Sequence, residues 1–149
     1  AYVTQTTLSV DETKGLIEAL QVKYPQIIGP SADDICYATQ NRQDAVKQLS
    51  LECEIVLVIG SKTSSNSNRL KELAEKCGTK SFLIDDKSDI NIEELKHATS
   101  VGITAGASAP EEIVQEVISF LFPLGYKTVR NLSENNESMT FKLPKELAD

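Results

Sequence analysis

Apolar residues in this chain alternate between short continuous runs and helical spacings. The run Ile55-Val56-Leu57-Val58-Ile59 has the length and β-branched content of a strand buried on both faces. Ser81-Phe82-Leu83-Ile84 and Val101-Gly102-Ile103-Thr104 read as further strands. Shorter pieces, Tyr2-Val3-Thr4 and Ile27-Ile28, predict two more. Tyr126 to Val129 and Met139 to Leu143 predict a last pair, around a polar loop from Asn131 to Ser138. Between these runs the apolar residues fall three and four apart. Leu16, Ile17 and Leu20 are expected to be the buried face of one helix, and Ala45, Val46 and Leu49 that of a second. Leu70, Leu73 and Ala74 mark a third; Ile113, Val114, Val117, Ile118 and Leu121 line a fourth, and Asn91 to His97 reads as a short helix.

Polar punctuation sharpens the helix ends. Ser9 and Glu12 have the spacing of a capping box, with Leu8 placed as its hydrophobic staple. Thr39 and Asn41 mark the start of the second helix, and Cys77-Gly78 stops the third. Ser108 stands three before Glu111, which predicts a second capping box with Pro110 in the first turn. Strand and helix alternate almost throughout, so the fold class is α/β: a parallel-strand sheet with helices packed on its faces. No fixed-period repeat and no low-complexity linker divides the chain.

Composition narrows the setting. At 149 residues, 40% apolar and 25% charged, the chain is one domain's worth of ordinary globular sequence. A formal charge of −7 without clustered Lys and Arg argues against a nucleic-acid surface. With no transmembrane-length run and no basic-then-apolar leader, the expected location is cytoplasmic, away from membrane. The chain opens at Ala1 inside strand-like sequence without an initiator Met, which is expected of a piece of something longer. Cys36, Cys53 and Cys77 form no C-x-x-C pair, so neither a disulfide framework nor a self-contained zinc site follows. Asn131-Leu132-Ser133 matches the glycosylation triplet and is read as chance.

In a parallel sheet the loops that lead from strand to helix gather at the carboxyl edge, where ligands of open α/β folds bind. Here those loops are Thr4 to Ser9, Gly29 to Thr39, Gly60 to Asn68 and Thr104 to Pro110, all rich in Ser, Thr, Asn or Gly. The third crowds five hydroxyls, two carboxamides and Lys62 against a helix start, where unpaired N–H groups and the dipole favour an anion. It reads as a phosphate seat, the plainer alternative being local helix capping. A diphosphate shared between Ser64-Ser65-Asn66 and Ser108 fits the geometry. Cys53 and Cys77 fall at the amino edge and read as structural thiols, whereas Cys36 lies at the ligand pole. It stands as a nucleophile, a metal ligand or a core residue. The one histidine, His97, ends a helix running away from that pole and reads as a surface residue. A lone thiolate serves an iron–sulfur cluster only if other thiolates come from elsewhere.

Tyr2 to Val10, Asp33 to Gln43, Gly60 to Arg69 and Val101 to Pro110, in that order and spacing, closely resemble the 4-hydroxy-3-methylbut-2-enyl diphosphate reductase (LytB/IspH) family. The likeness extends to the Phe141 to Leu147 tail and covers this whole chain, but only about the C-terminal half of the family's length. It implies reductive removal of an allylic hydroxyl by two electrons and protons, giving isopentenyl and dimethylallyl diphosphate in the non-mevalonate isoprenoid pathway. It implies a [4Fe-4S] cluster held by three cysteines, of which Cys36 matches the last, with ferredoxin or flavodoxin as electron donor. Ser64, Ser65, Asn66 and Ser108 match residues that bind the substrate diphosphate. Thr6 matches a catalytic threonine near the substrate hydroxyl in the proton-delivery network, and Thr39 a further residue of that pocket. The two other cluster cysteines, the diphosphate-holding histidines and the proton-relay glutamate belong to the family's N-terminal portion and have no match here. The resemblance also implies a trefoil-like architecture of three α/β units. Residues 1–28 would end the second, 29–124 would form the third, and 125–149 a returning tail. A metal-free phosphosugar-binding module of the sugar-isomerase type is the alternative from another class, and a structural α/β domain with well-capped helices is the blandest.

Overall fold

The computed structural model describes residues 1–30 and 35–132. At its centre lie three parallel strands, β1 (Ile55–Ile59), β2 (Lys80–Ile84) and β3 (Val101–Ala105), in the spatial order β2-β1-β3. The register is level across the sheet. Ile55 stands opposite Lys80 and Val101, and Ile59 opposite Ile84 and Ala105. Five α-helices accompany the strands: α1 (Val10–Lys23), α2 (Tyr37–Glu52), α3 (Ser65–Lys76), α4 (Ile92–Leu95) and α5 (Glu111–Leu121). Single 3-10 turns follow β2 (Lys87–Asp89) and α5 (Phe122–Leu124).

The continuous apolar run of β1 is explained by its central place, since its side chains alternate between two cores. Val56 and Val58 pack with Val46 of α2 and with Leu70 and Ala74 of α3. Ile55, Leu57 and Ile59 face the other way, onto Ile84, Ile90, Leu95, Val117 and Leu121. Helices therefore cover both faces, as the alternation of elements predicts. Each such side chain taken fully out of water contributes about 1.5–3 kcal/mol, so these two layers dominate the stability of the sheet. Beyond α5, the Tyr126 hydroxyl donates to the carbonyls of Leu95 and Ala98 (2.9 and 2.8 Å), and Arg130 pairs with Glu52. No helix among the described residues is long and apolar enough to cross a membrane.

Several expected elements differ. Tyr2–Thr4, Ile27–Ile28 and Tyr126–Val129 are not strands, because a strand needs a partner ladder and none is offered among the described residues. A lone bond from Tyr2 N–H to the Ile28 carbonyl (2.9 Å) joins the first two, with the Tyr2 ring lying on Gly29, whose α-carbon leaves no room for a Cβ. The strand expected over 139–143 lies outside the described residues. Helix α2 begins at Cys36, which is its N-cap; Thr39 and Asn41 are inside it, because the Thr39 and Gln40 N–H groups already bond to the Cys36 carbonyl (2.8 and 3.0 Å).

Helix α1 is also seated differently from the expectation. Leu16, expected in the core, is 63% exposed, Ile17 and Leu20 are half-buried, and the buried residue of the helix is Thr13. The cause is that α1 meets the rest of the chain through polar groups. Asp11 pairs with Lys47 of α2 (2.9 Å), and Glu12 pairs with Lys76 of α3 instead of closing the capping box, although Ser9 does cap the helix through the Glu12 N–H.

Candidate functional site

Helices α3 and α5, which follow the adjacent strands β1 and β3, pack on opposite faces of the sheet. The loops leaving those two strands consequently part, and the crevice between them is the position where open α/β sheets take ligands. Both loops begin at the same level. Gly60 N–H bonds to the Ile84 carbonyl (2.9 Å) and Gly106 N–H to the Ile59 carbonyl (2.8 Å), carrying the ladder one residue past each strand end.

The first loop sorts its many hydroxyls into distinct tasks. Ser61 and Thr63 are occupied with each other (Oγ to Oγ1 2.9 Å), and Asn68 ties the loop backbone by donating to the carbonyls of Lys62 and Ser64 (2.8 and 2.9 Å). Ser64 is the N-cap of α3, its Oγ accepting the Ser67 N–H at 3.3 Å. Ser65 is exposed at the first helical position. The Ser65 and Asn66 N–H groups, in the first turn, have no intrahelical acceptor and form the positive end of the helix dipole. Asn66 is only 9% exposed, and neither the oxygen nor the nitrogen of its carboxamide has a hydrogen-bond partner. Buried amides are normally satisfied, and leaving one unmade costs about 1–3 kcal/mol, so an unpartnered Asn beside the Ser65 and Asn66 N–H groups is a candidate place for a polar ligand.

The second loop departs from the expected capping box. Ala109 N–H bonds to the Gly106 carbonyl (3.0 Å), closing a tight turn that holds Ser108 ahead of the helix, and Pro110 is the N-cap of α5. Ser108 is therefore exposed on the rim with its hydroxyl not spent on the helix. Two surface hollows lie elsewhere. One of about 680 Å³ is lined by Lys87, Glu116 and the outer face of α5, and one of about 340 Å³ by α4 and Tyr126.

The remaining candidates meet at the same pole. Helices α2 and α3 share one face of the sheet and run opposite to the strands, so both N-termini lie at the carboxyl edge. Cys36 N–H bonds directly to the Thr6 carbonyl (3.2 Å), bringing two of the expected residues together, and Thr39 is buried one turn along α2. The Cys36 thiol is exposed at the start of α2 and makes no capping bond. Among the described residues no group of three or more His, Cys, Asp or Glu could hold a metal ion. Cys53 is half-buried at the amino edge, and burial pushes its thiol pKa up. Cys77, read as a structural thiol, is exposed at the end of α3, and His97 is exposed as expected.

Three further residues carry this geometry, of which Ser67 and Asn68 were counted above only among the polar groups of the Gly60 to Asn68 loop. Gln43, 2% exposed, donates to the Leu8 carbonyl (2.8 Å) and accepts the Val10 N–H (3.0 Å), fastening the Thr6 loop to α2. Asn68 and Ser67 brace the first loop from within. Their one sequence signal was a glycine directly after each of two apolar runs, Gly60 and Gly106, where Ser67 needs room.

A family profile described as LytB protein matches residues 1–122. The 4-hydroxy-3-methylbut-2-enyl diphosphate reductase of Saccharophagus degradans is 56% identical over 147 residues, covering 99% of this chain and 47% of that protein. The protein of the same name from Methylococcus capsulatus is 54% identical over 147 residues, with 99% and 47% coverage. The chain thus spans about half the length of the curated relatives it matches. In three dimensions it is similar to the E-1-hydroxy-2-methyl-but-2-enyl-4-diphosphate reductase from Plasmodium falciparum, with a TM-score of 0.88 and 33% identity over 97% of this chain and 46% of that one. With the profile and these identities spanning the strand-end rim, the chain belongs to the LytB protein family.

Proposed function

We propose that the protein carrying this chain reduces 4-hydroxy-3-methylbut-2-enyl diphosphate to isopentenyl and dimethylallyl diphosphate. Two electrons and two protons enter and the allylic hydroxyl leaves as water. This chain contributes the diphosphate seat and one ligand of the iron centre. Ser64, Ser65, Asn66 and Ser108 hold the diphosphate, with the first-turn N–H groups of α3 supplying donors that water need not leave unmatched. Thr6 lies toward the substrate hydroxyl in the proton-delivery network, and Thr39 lines the same pocket. Cys36 is one ligand of a [4Fe-4S] cluster, for which an exposed, uncapped thiol at a helix N-terminus is suitable. Two further cysteines come from the N-terminal portion that the relatives possess. When bound, such a cluster passes electrons to the substrate from a ferredoxin or flavodoxin donor. In that arrangement residues 1–28 end a second α/β unit, 29–124 form a third, and a returning tail begins at 125, its part beyond 132 lying outside the described residues.

The observation that carries the reading is the buried, unpartnered Asn66 carboxamide at the α3 N-terminus. Asn66→Ala in the full-length protein is expected to weaken inorganic diphosphate binding roughly tenfold, the loss of one or two hydrogen bonds to a charged group. Its thermal midpoint should stay the same or rise, because an unmet polar group has been removed from the interior. Calorimetry and melting on the same samples check this. Undiminished affinity with a lowered midpoint would make the turn a capping device and nothing more.

A further inference from the structure

Ser67 is the one fully buried hydroxyl of the first loop, at 0% exposure, and it touches no solvent from which a ligand could approach. Its position is nonetheless tied to a residue that does face the rim. The Ser67 hydroxyl donates to Ser64 Oγ at 3.1 Å, and the Ser67 N–H donates to the same oxygen at 3.3 Å. A serine hydroxyl has two lone pairs and one proton. With both lone pairs directed at Ser67, Ser64 keeps its proton as the group it has left to offer, and that proton must turn away from the helix. In a serine that only caps, the hydroxyl accepts one backbone N–H and its proton remains free to rotate.

The same buried oxygen also sets the spacing of the two loops. A Cβ built on Gly60 would fall 2.2 Å from Ser67 Oγ, and one built on Gly106 would fall 2.3 Å from it. Ser67 is therefore seated between the first residues beyond β1 and β3, with no space for a larger side chain. Gly60 has a φ of +157°, a conformation rare for L side chains, so glycine is demanded there twice over. Threonine at position 67 would add a methyl to an occupied gap, and alanine would empty the Oγ position and lose the donor.

We propose that Ser67 is a positioning residue for diphosphate binding, which acts through Ser64 by holding that hydroxyl as an outward donor. The proposal rests on the diphosphate reading given above. It concerns a residue that never touches the ligand.

The test is a double-mutant cycle in the full-length protein, using Ser64→Ala, Ser67→Ala and the pair, read by calorimetric binding of inorganic diphosphate and by thermal melting. Ser67→Ala is expected to weaken diphosphate binding by about 3- to 10-fold, the range of one hydrogen bond. The double variant should bind no more weakly than Ser64→Ala alone, since a residue acting through another contributes nothing once that other is gone. Wild-type affinity in Ser67→Ala overturns the proposal, as do losses that multiply in the pair. A Ser67→Ala protein that gives no cooperative melt overturns it as well, because Ser67 would then be holding the fold and not the ligand donor. If Ser64→Ala and Asn66→Ala both bind diphosphate like the wild type, the diphosphate reading itself has failed and this proposal falls with it. If they weaken binding and Ser67→Ala does not, the reading stands and only the role of Ser67 is lost.

Discussion

The two sides of the candidate site are supported in opposite ways. The Ser64 and Ser108 loops spring from β1 and β3, and all five side chains of β1 are buried between two helical layers. The Thr6 side rests on an arm, residues 1–30, whose 14-residue helix buries one threonine and leaves Leu16 and Val22 63% and 84% exposed. That arm is fastened by Gln43, by the Lys47–Asp11 and Lys76–Glu12 pairs, and by the bond from Cys36 N–H to the Thr6 carbonyl. Apolar burial yields about 25 cal/mol per Å², whereas exposed ion pairs contribute about 0–1 kcal/mol each. The Ser64 and Ser108 end of the candidate site therefore sits on a rigid base. The threonine end is held in place by a few polar ties, and its opening free energy should be lower than that of the sheet.

The largest test of this contrast is Leu57→Ala at the centre of the rigid base. Removing that side chain from a filled core should cost about 2–5 kcal/mol and lower the denaturant midpoint of the whole protein, with both ends of the site lost together. Gln43→Ala should do less and act locally. It strips partners from the Leu8 carbonyl and the Val10 N–H, at about 1–3 kcal/mol, and should speed amide exchange in residues 8–20 while leaving β1 amides protected. Faster exchange in β1 would show that arm and sheet are one cooperative unit, and the contrast would be void.

The smallest effect is expected from pH. The Lys76 ammonium holds the Glu12 carboxyl below its usual 4.5, so this tie is present above that value and is lost as pH falls through the lowered one. Lys47 is raised above its usual 10.5, chiefly by its hydrogen bond to Asp11, so its tie is present below that value and is lost as pH rises through the raised one. Amide NMR shifts of α1 should move in both windows while those of β1 stay still, and 1 M salt should reduce both movements.

How much of this was legible from residues depends on how local each cause is. The three sheet strands and α3 and α5 were readable because their apolar periodicity is itself the cause of their burial. The first arm was not. Tyr2-Val3-Thr4 and Ile27-Ile28 look like strands by composition, yet strand formation is decided by a partner elsewhere in space. The spacing of Leu16, Ile17 and Leu20 predicted a buried face, but α1 turns its Asp11 side to the protein. Cap positions were displaced by two or three residues for a related reason. Ser108 and Thr39 have capping chemistry, and the backbone turns at Gly106–Ala109 and Cys36–Thr39 place them elsewhere. The placing of the Ser64 and Ser108 loops at one strand-end edge followed from strand–helix alternation, whereas the strands expected ahead of the Thr6 and Cys36 loops are absent from the described residues. The bracing by Gln43, Ser67 and Asn68 did not follow from it, since side-chain bonds to distant backbone leave no periodic trace.

The level register of the three strands has a consequence for what can vary in such a protein. Because Ile59, Ile84 and Ala105 end side by side, their exits form a common datum from which every loop of the site is measured. A substitution in a loop alters one contact. A single-residue deletion in β1 would draw the Gly60 exit back by about 3.3 Å and swap the residues that face the two cores. The length of that strand is thus a tighter constraint than the identity of any one residue in the loops it carries.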